Sequence, residues 1–259
     1  MTAPDPVVST TTPDDADAAA AGAVIDLLRE VDVLLENLGA TPVAELRSGG
    51  LGVREFKRLA KATGIDEPRL GLILEIAAAA GLIASGMPDP EPPHSDGPFW
   101  APTVAADRFA TMSPAERWHL LASAWLHATA CLIGTRGPDA KPYGALSDSL
   151  FSTAAPLDRR LLLGMLAELP AGAGVDASRA SATLIWRRPR WARRLQPAPI
   201  ADLLTEGHAL GLVGRGAIST PARALLDEAL EPATAPAAAV GVMARALPKP
   251  IDPSWCRPT

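Results

Sequence analysis

A chain of 259 residues has room for one large domain or two small ones, each able to bury a core. Hydrophobic residues make up 48% but aromatics only 4%, and long β-branched runs are missing, so the composition points to an all-α or mostly-α fold. The net charge of −5 argues against a surface given over wholly to phosphate, since phosphate-binding domains are usually basic, but the arginines are unevenly spread and leave room for a local site.

Two widely spaced cysteines, Cys131 and Cys256, exclude a disulfide framework and a cysteine zinc site. The most apolar window, residues 70–84, is too short for a bilayer and carries Glu75. No basic stretch followed by an apolar one opens the chain. The expectation is a soluble cytoplasmic protein, nucleoid-associated if it meets DNA, with no membrane and no metal.

In chain order, residues 1–19 are rich in Pro, Thr and Asp, with Asp14, Asp15 and Asp17, and are expected to be a disordered tail. Val24, Leu27, Leu28, Val31, Leu34, Leu35 and Leu38 recur at helical spacing and predict an amphipathic helix over 22–38, ended by Gly39. After Pro42 and the break at Ser48-Gly49-Gly50, a helix over 53–62 is expected. It turns Val53, Phe56, Leu59 and Ala60 inward and Arg54, Lys57, Arg58 and Lys61 outward. Thr63-Gly64 marks a tight turn, and Asp66 with Pro68 caps a helix over 67–80 whose apolar character nearly all round implies burial on more than one side. Gly81 leads to strand-like Leu82-Ile83. The proline-rich 86–98 is then either a wing or a linker, and Trp100 begins a returning strand.

A second block starts at Ser113, with Pro114 at the first helical position and Glu116 completing a capping box, and runs to about residue 130. Helices follow over 156–169, from Asp176 to about 186, over 199–210, and from Ser219 to about 230. Residues 211–218 read as a small hairpin. Residues 232–259 form a Pro/Ala-rich tail that holds a short helix over 237–247 and reads as interrupted. Helix, sharp turn, helix and short β-ribbon is winged-helix grammar. The expected architecture is therefore mostly α, with tandem winged-helix-like units at 20–110 and 111–231 and small β-hairpin wings.

Motifs for chemistry are missing. Residues 134–141 come nearest to a phosphate-binding loop, but the spacing is wrong, Pro138 removes a donor amide, and Pro142 stands where Ser or Thr belongs. No GxSxG surrounds Ser123, Ser147, Ser149 or Ser152. The histidines are His94, His119, His127 and His208, and HExxH is absent. His119 and His127 lie eight apart on one helix, too far for joint metal ligation. No enzyme, no cofactor and no metal site is expected.

Charge is more informative. Residues 186–194 hold Arg187, Arg188, Arg190, Arg193 and Arg194 with Trp186 and Trp191, a mixture suited to phosphates and stacked bases. The plainer reading is a solvated helix end whose cations suit the macrodipole, with Trp186 in the core. A second cluster, Arg54, Lys57 and Arg58 with Arg47 and Lys61, reads either as a phosphate contact or as the polar face any amphipathic helix has. The helix over 67–80 offers only Glu67, Arg69 and Glu75 to a groove, so base readout by it is not expected.

Residues 46–83, above all RSGGLGVREFKRLAKATGIDEP, together with WHLLASAWL at 118–126, 154–170, WRRP at 186–189 and GLVGRGAISTPARALL at 211–226, resemble a family of actinobacterial helicase-associated proteins. These carry a domain similar to the N-terminal domain of XPB-type DNA repair helicases. The Ala, Arg, Gly and Pro bias also suits a GC-rich, actinobacterial genome. The resemblance covers roughly residues 20–250 and implies winged-helix-like units in a DNA-linked role. Family members run longer at both ends, so it implies a central portion whose partners include further domains of a longer chain. No helicase motor motif is present. The expected function is a non-catalytic DNA-binding or helicase-associated module that contacts phosphates through arginine clusters. The alternative is a protein–protein interaction scaffold within a larger DNA-transaction protein.

Overall fold

The computed structural model describes residues 4–89, 91, 97–130, 144–230 and 237–248. The chain is mostly helical, with small antiparallel sheets. Its organising element is α1, Pro13–Ala40, a helix of 28 residues and about 42 Å. Its buried stripe runs from Ala16 through Val24, Leu27, Val31 and Leu34 to Leu38. The C-terminal end of α1 meets the first group of elements and its N-terminal end meets the second.

In the first group, β2 (Val43–Ala44), α2 (Val53–Thr63), α3 (Glu67–Ala79), β3 (Ile83–Gly86) and β4 (Phe99–Pro102) follow α1. The strands form a sheet in the order β2–β4–β3, antiparallel throughout, with Ile83 opposite Pro102 and Gly86 opposite Phe99. Residues 87–98 therefore join two paired strands of one sheet. Gly64, at φ 70°, ends α2 in the left-handed conformation that glycine tolerates best. The Asp66 side chain accepts from the Arg69 N–H to start α3. α3 is buried along Leu70, Leu72, Ile73, Leu74, Glu75, Ile76 and Ala77 because α1, α2 and a later helix all pack on it.

Two helices follow, α4 (Val104–Thr111) and α5 (Pro114–His127), the latter opened by the Ser113–Glu116 capping box. The second group is α6 (Ala155–Glu168), β5 (Ala173–Gly174), α7 (Ala177–Arg187), α8 (Pro197–Ala209), β6 (Val213–Gly214) and β7 (Ala217–Ile218), closed by α9 (Thr220–Leu230) and α10 (Ala237–Ala246). β6 and β7 are joined by Arg215 and Gly216 at φ 51° and 81°, as a tight primed hairpin turn requires. The Val175 N–H donates to the Gly216 carbonyl at 3.0 Å, which sets β5 beside β7. The order helix, strand, helix, helix, strand, strand thus occurs twice. One continuous core, from Val24 to Met243, serves both groups.

Three expectations need correction. The segment expected to be a disordered tail holds, within its described residues, a strand and the start of α1. β1 (Ser9–Thr10) pairs antiparallel with β5. Thr12 caps α1 by accepting from the Asp15 N–H, with Pro13 in the first turn, so the helix begins nine residues before Gly22. Asp17 is also structural, since its carboxylate accepts the Thr220 N–H at 2.7 Å. Val53 is 70% exposed rather than inward, because it is the first residue of α2 and precedes the turn that faces the core.

Candidate nucleic-acid interface

The arginine-rich run is a connector between α7 and α8. α7 starts at Asp176, whose carboxylate accepts the Arg179 N–H at 2.7 Å, and it buries Ala180, Ser181, Thr183 and Leu184. It stops at Arg188 because the residue before a proline is pushed out of the helical region, here to φ −135° and ψ 65°. Pro189–Trp191 then make one 3-10 turn. Two anchors hold the connector to the body. Leu195 is fully buried and its carbonyl accepts from the Ser181 hydroxyl at 2.7 Å, while Trp191 packs half-buried against the core.

The five arginines divide into two sets. Arg187 pairs with Glu168 at 2.7 Å and Arg194 with Asp158 at 2.8 Å, both carboxylates reaching across from α6. Burial raises the Asp158 carboxyl above the usual aspartate range, and this outweighs the opposing pull of Arg194 and Arg159. Arg188, Arg190 and Arg193 are exposed, and none of them forms an ion pair with a described residue. Arg194 lies 4.5 Å from the centre of the Trp191 ring and Arg188 lies 5.7 Å from it, a cation–π arrangement. Trp191 is therefore engaged from within, whereas Trp186, one residue before Arg187, is 45% exposed. Composition alone did not separate the two tryptophans.

The second cluster lies on α2. Arg54, Lys57, Arg58 and Lys61 are all exposed, and Arg58 donates to Glu55 at 2.7 Å, an open surface pair that contributes little. This cluster and the connector belong to different groups of elements. α3, between them in sequence, has no groove-reading face. Arg69 is taken by Glu30 at 2.7 Å, and Glu75 is buried. Burial pushes the Glu75 carboxyl up to about 7, against the Leu146 N–H that donates to it.

Sequence reasoning missed two buried polar groups, Arg159 and Glu206, because each stands in a polar stretch of its helix, beside Asp158 and Arg160 or beside Thr205 and His208, and reads as solvent-facing. It also missed an open cleft of about 600 Å³ lined by Glu75, Leu120, Ser123 and His127 with nearby alanines. Among the described residues no three His, Cys, Asp or Glu side chains are placed to hold a metal ion, and no helix is long and apolar enough to cross a membrane. The turn at 134–141, His94, Cys131 and Cys256, and the last part of the Pro/Ala-rich tail lie outside the described residues. No protein-family model, curated protein or solved structure matches the chain.

Proposed function

We propose that this chain is a non-catalytic, tandem winged-helix module of a helicase-associated protein like those with an XPB-type N-terminal domain, and that it binds DNA through phosphate contacts. The repeated order helix, strand, helix, helix, strand, strand supports the winged-helix reading, with the paired strands β3–β4 and β6–β7 in the place of wings. The observation that carries the binding role is the connector. Arg188, Arg190 and Arg193 stand exposed, without carboxylate partners among the described residues, on a segment pinned by Trp191 and Leu195. Guanidinium forks suit phosphate oxygens. Arg54, Lys57 and Arg58 on α2 serve as a secondary contact.

The test is fluorescence anisotropy with labelled DNA of about twenty nucleotides. Changing Arg187, Arg188, Arg190, Arg193 and Arg194 to serine is expected to weaken binding at least ~10-fold at moderate salt. Unchanged affinity overturns the reading.

One observation favours a scaffold instead. Leu46 and Val53 are both exposed, and Leu46 lies over Gly52, beside Val53, an apolar pair next to a basic helix. Light scattering that finds a stoichiometric protein partner and no DNA retention decides for it.

A further inference from the structure

We infer that the connector takes single-stranded rather than duplex nucleic acid, with a base stacked on Trp186 while Arg188, Arg190 and Arg193 hold the neighbouring phosphates. This rests on the phosphate-binding reading above and goes further by naming the form of the ligand.

Base readout in a duplex needs an element that can enter a groove and present polar side chains there, whereas phosphate contacts alone hold either form. In the helix–turn–helix of each group, the second helix would be that element. α3 is buried along Leu70, Leu72, Ile73, Leu74, Glu75, Ile76 and Ala77 and so has no free face. α8, sequence PAPIADLLTEGHA, contains no lysine or arginine, and its half-exposed Asp202 would repel phosphate, while Glu206 is buried. The densest basic charge of this group lies at the turn between the helices, with Arg160, Arg179 and Arg215 exposed singly elsewhere. That turn is a single 3-10 turn whose Trp191 and Leu195 tie it to the core, so it does not project far enough to read base edges.

What the last turn of α7 does offer, next to the connector, is a half-exposed indole. Along α7 the inward positions are Ala180, Ser181, Thr183 and Leu184, and a residue two places past Leu184 leaves that face. Ile185 packs against the core, and Trp186 points out. Its neighbour Trp191 already lies against Arg188 and Arg194, which leaves Trp186 as the free ring. Every base has a π face, so stacking on an exposed indole tolerates any sequence, and it requires a base that is not held inside a duplex. Arginines beside the ring then supply the charge that follows the backbone.

The experiment compares a labelled oligothymidine of about fifteen nucleotides with a blunt duplex of equal length, both at one salt concentration, on the full chain. The strand is expected to bind at least ~10-fold more tightly. Trp186→Ala should lower strand affinity ~10-fold, and Trp186→Phe should recover part of it, with no change in duplex affinity or melting temperature. Partial quenching of tryptophan emission by oligothymidine, lost in Trp186→Phe, is the companion readout. If the duplex binds as tightly or more tightly, or if Trp186→Ala leaves strand affinity unchanged, the inference is overturned while phosphate binding survives. If neither nucleic acid binds, the phosphate-binding reading fails and takes this inference with it.

Discussion

The Nε of Arg159 lies 3.6 Å from the Glu206 carboxylate, and neither residue reaches solvent beyond 2%. Arg159 also donates to the Trp125 carbonyl at 2.9 Å, to the Ala130 carbonyl at 2.7 Å and to the Ala128 carbonyl, just where α5 ends and leaves acceptors unpaired. Glu206 accepts the Trp125 indole N–H at 2.6 Å. This cluster joins α5, α6 and α8; the connector leads into α8 and is paired to carboxylates of α6.

Removing the Arg159 side chain tests the cluster. Arg159→Met removes the guanidinium beside the buried Glu206 and the donors to three carbonyls, so a loss of about 3–5 kcal/mol is expected in urea unfolding. A loss below ~1 kcal/mol would show that the cluster is incidental to stability.

Glu75 makes stability depend on pH in a direction that can be worked out. Its folded carboxyl titrates near 7 against an ordinary value of 4.5, so folding favours the protonated form. The contribution is complete below 4.5 and is lost as pH rises through about 7, amounting to roughly 3 kcal/mol at most. Glu75→Gln can still accept from the Leu146 N–H and is expected to flatten stability between pH 5 and 8. It should also leave the variant the more stable of the two at pH 8. Parallel curves for the two proteins contradict this.

Two glycines give opposite signs. A Cβ at Gly214 would fall 2.0 Å from the Ala16 carbonyl oxygen, where α1 runs against β6. Gly214→Ala should therefore cost about 1–3 kcal/mol or more by forcing the helix away. Gly22 is interior to α1 and a Cβ there meets nothing within 4 Å, so Gly22→Ala should gain about 0.5–1 kcal/mol. Thermal melts of both variants settle the pair.

Local signals were legible in the sequence, and long-range ones were not. Asp66, Ser113 and Asp176 were recognisable as caps because capping is completed within three residues, and all three close as expected. The true start of α1 was hidden, since the Ala16 and Ala20 faces look like low-complexity sequence until Gly214 and Gly211 close on them. At the candidate site, the density of arginine was plain. Which arginines stay free depends on Glu168 and Asp158 arriving from α6, and which tryptophan is exposed depends on the bend at Pro189.

The central claim is that Arg188, Arg190 and Arg193 neutralise phosphates, and the slope of log affinity against log salt measures it most directly. Three contacts on single-stranded DNA predict a slope near −2, and the double change Arg190→Ser with Arg193→Ser should reduce its magnitude by about 1.4. A slope that the double substitution does not alter, or an affinity indifferent to salt, would contradict it.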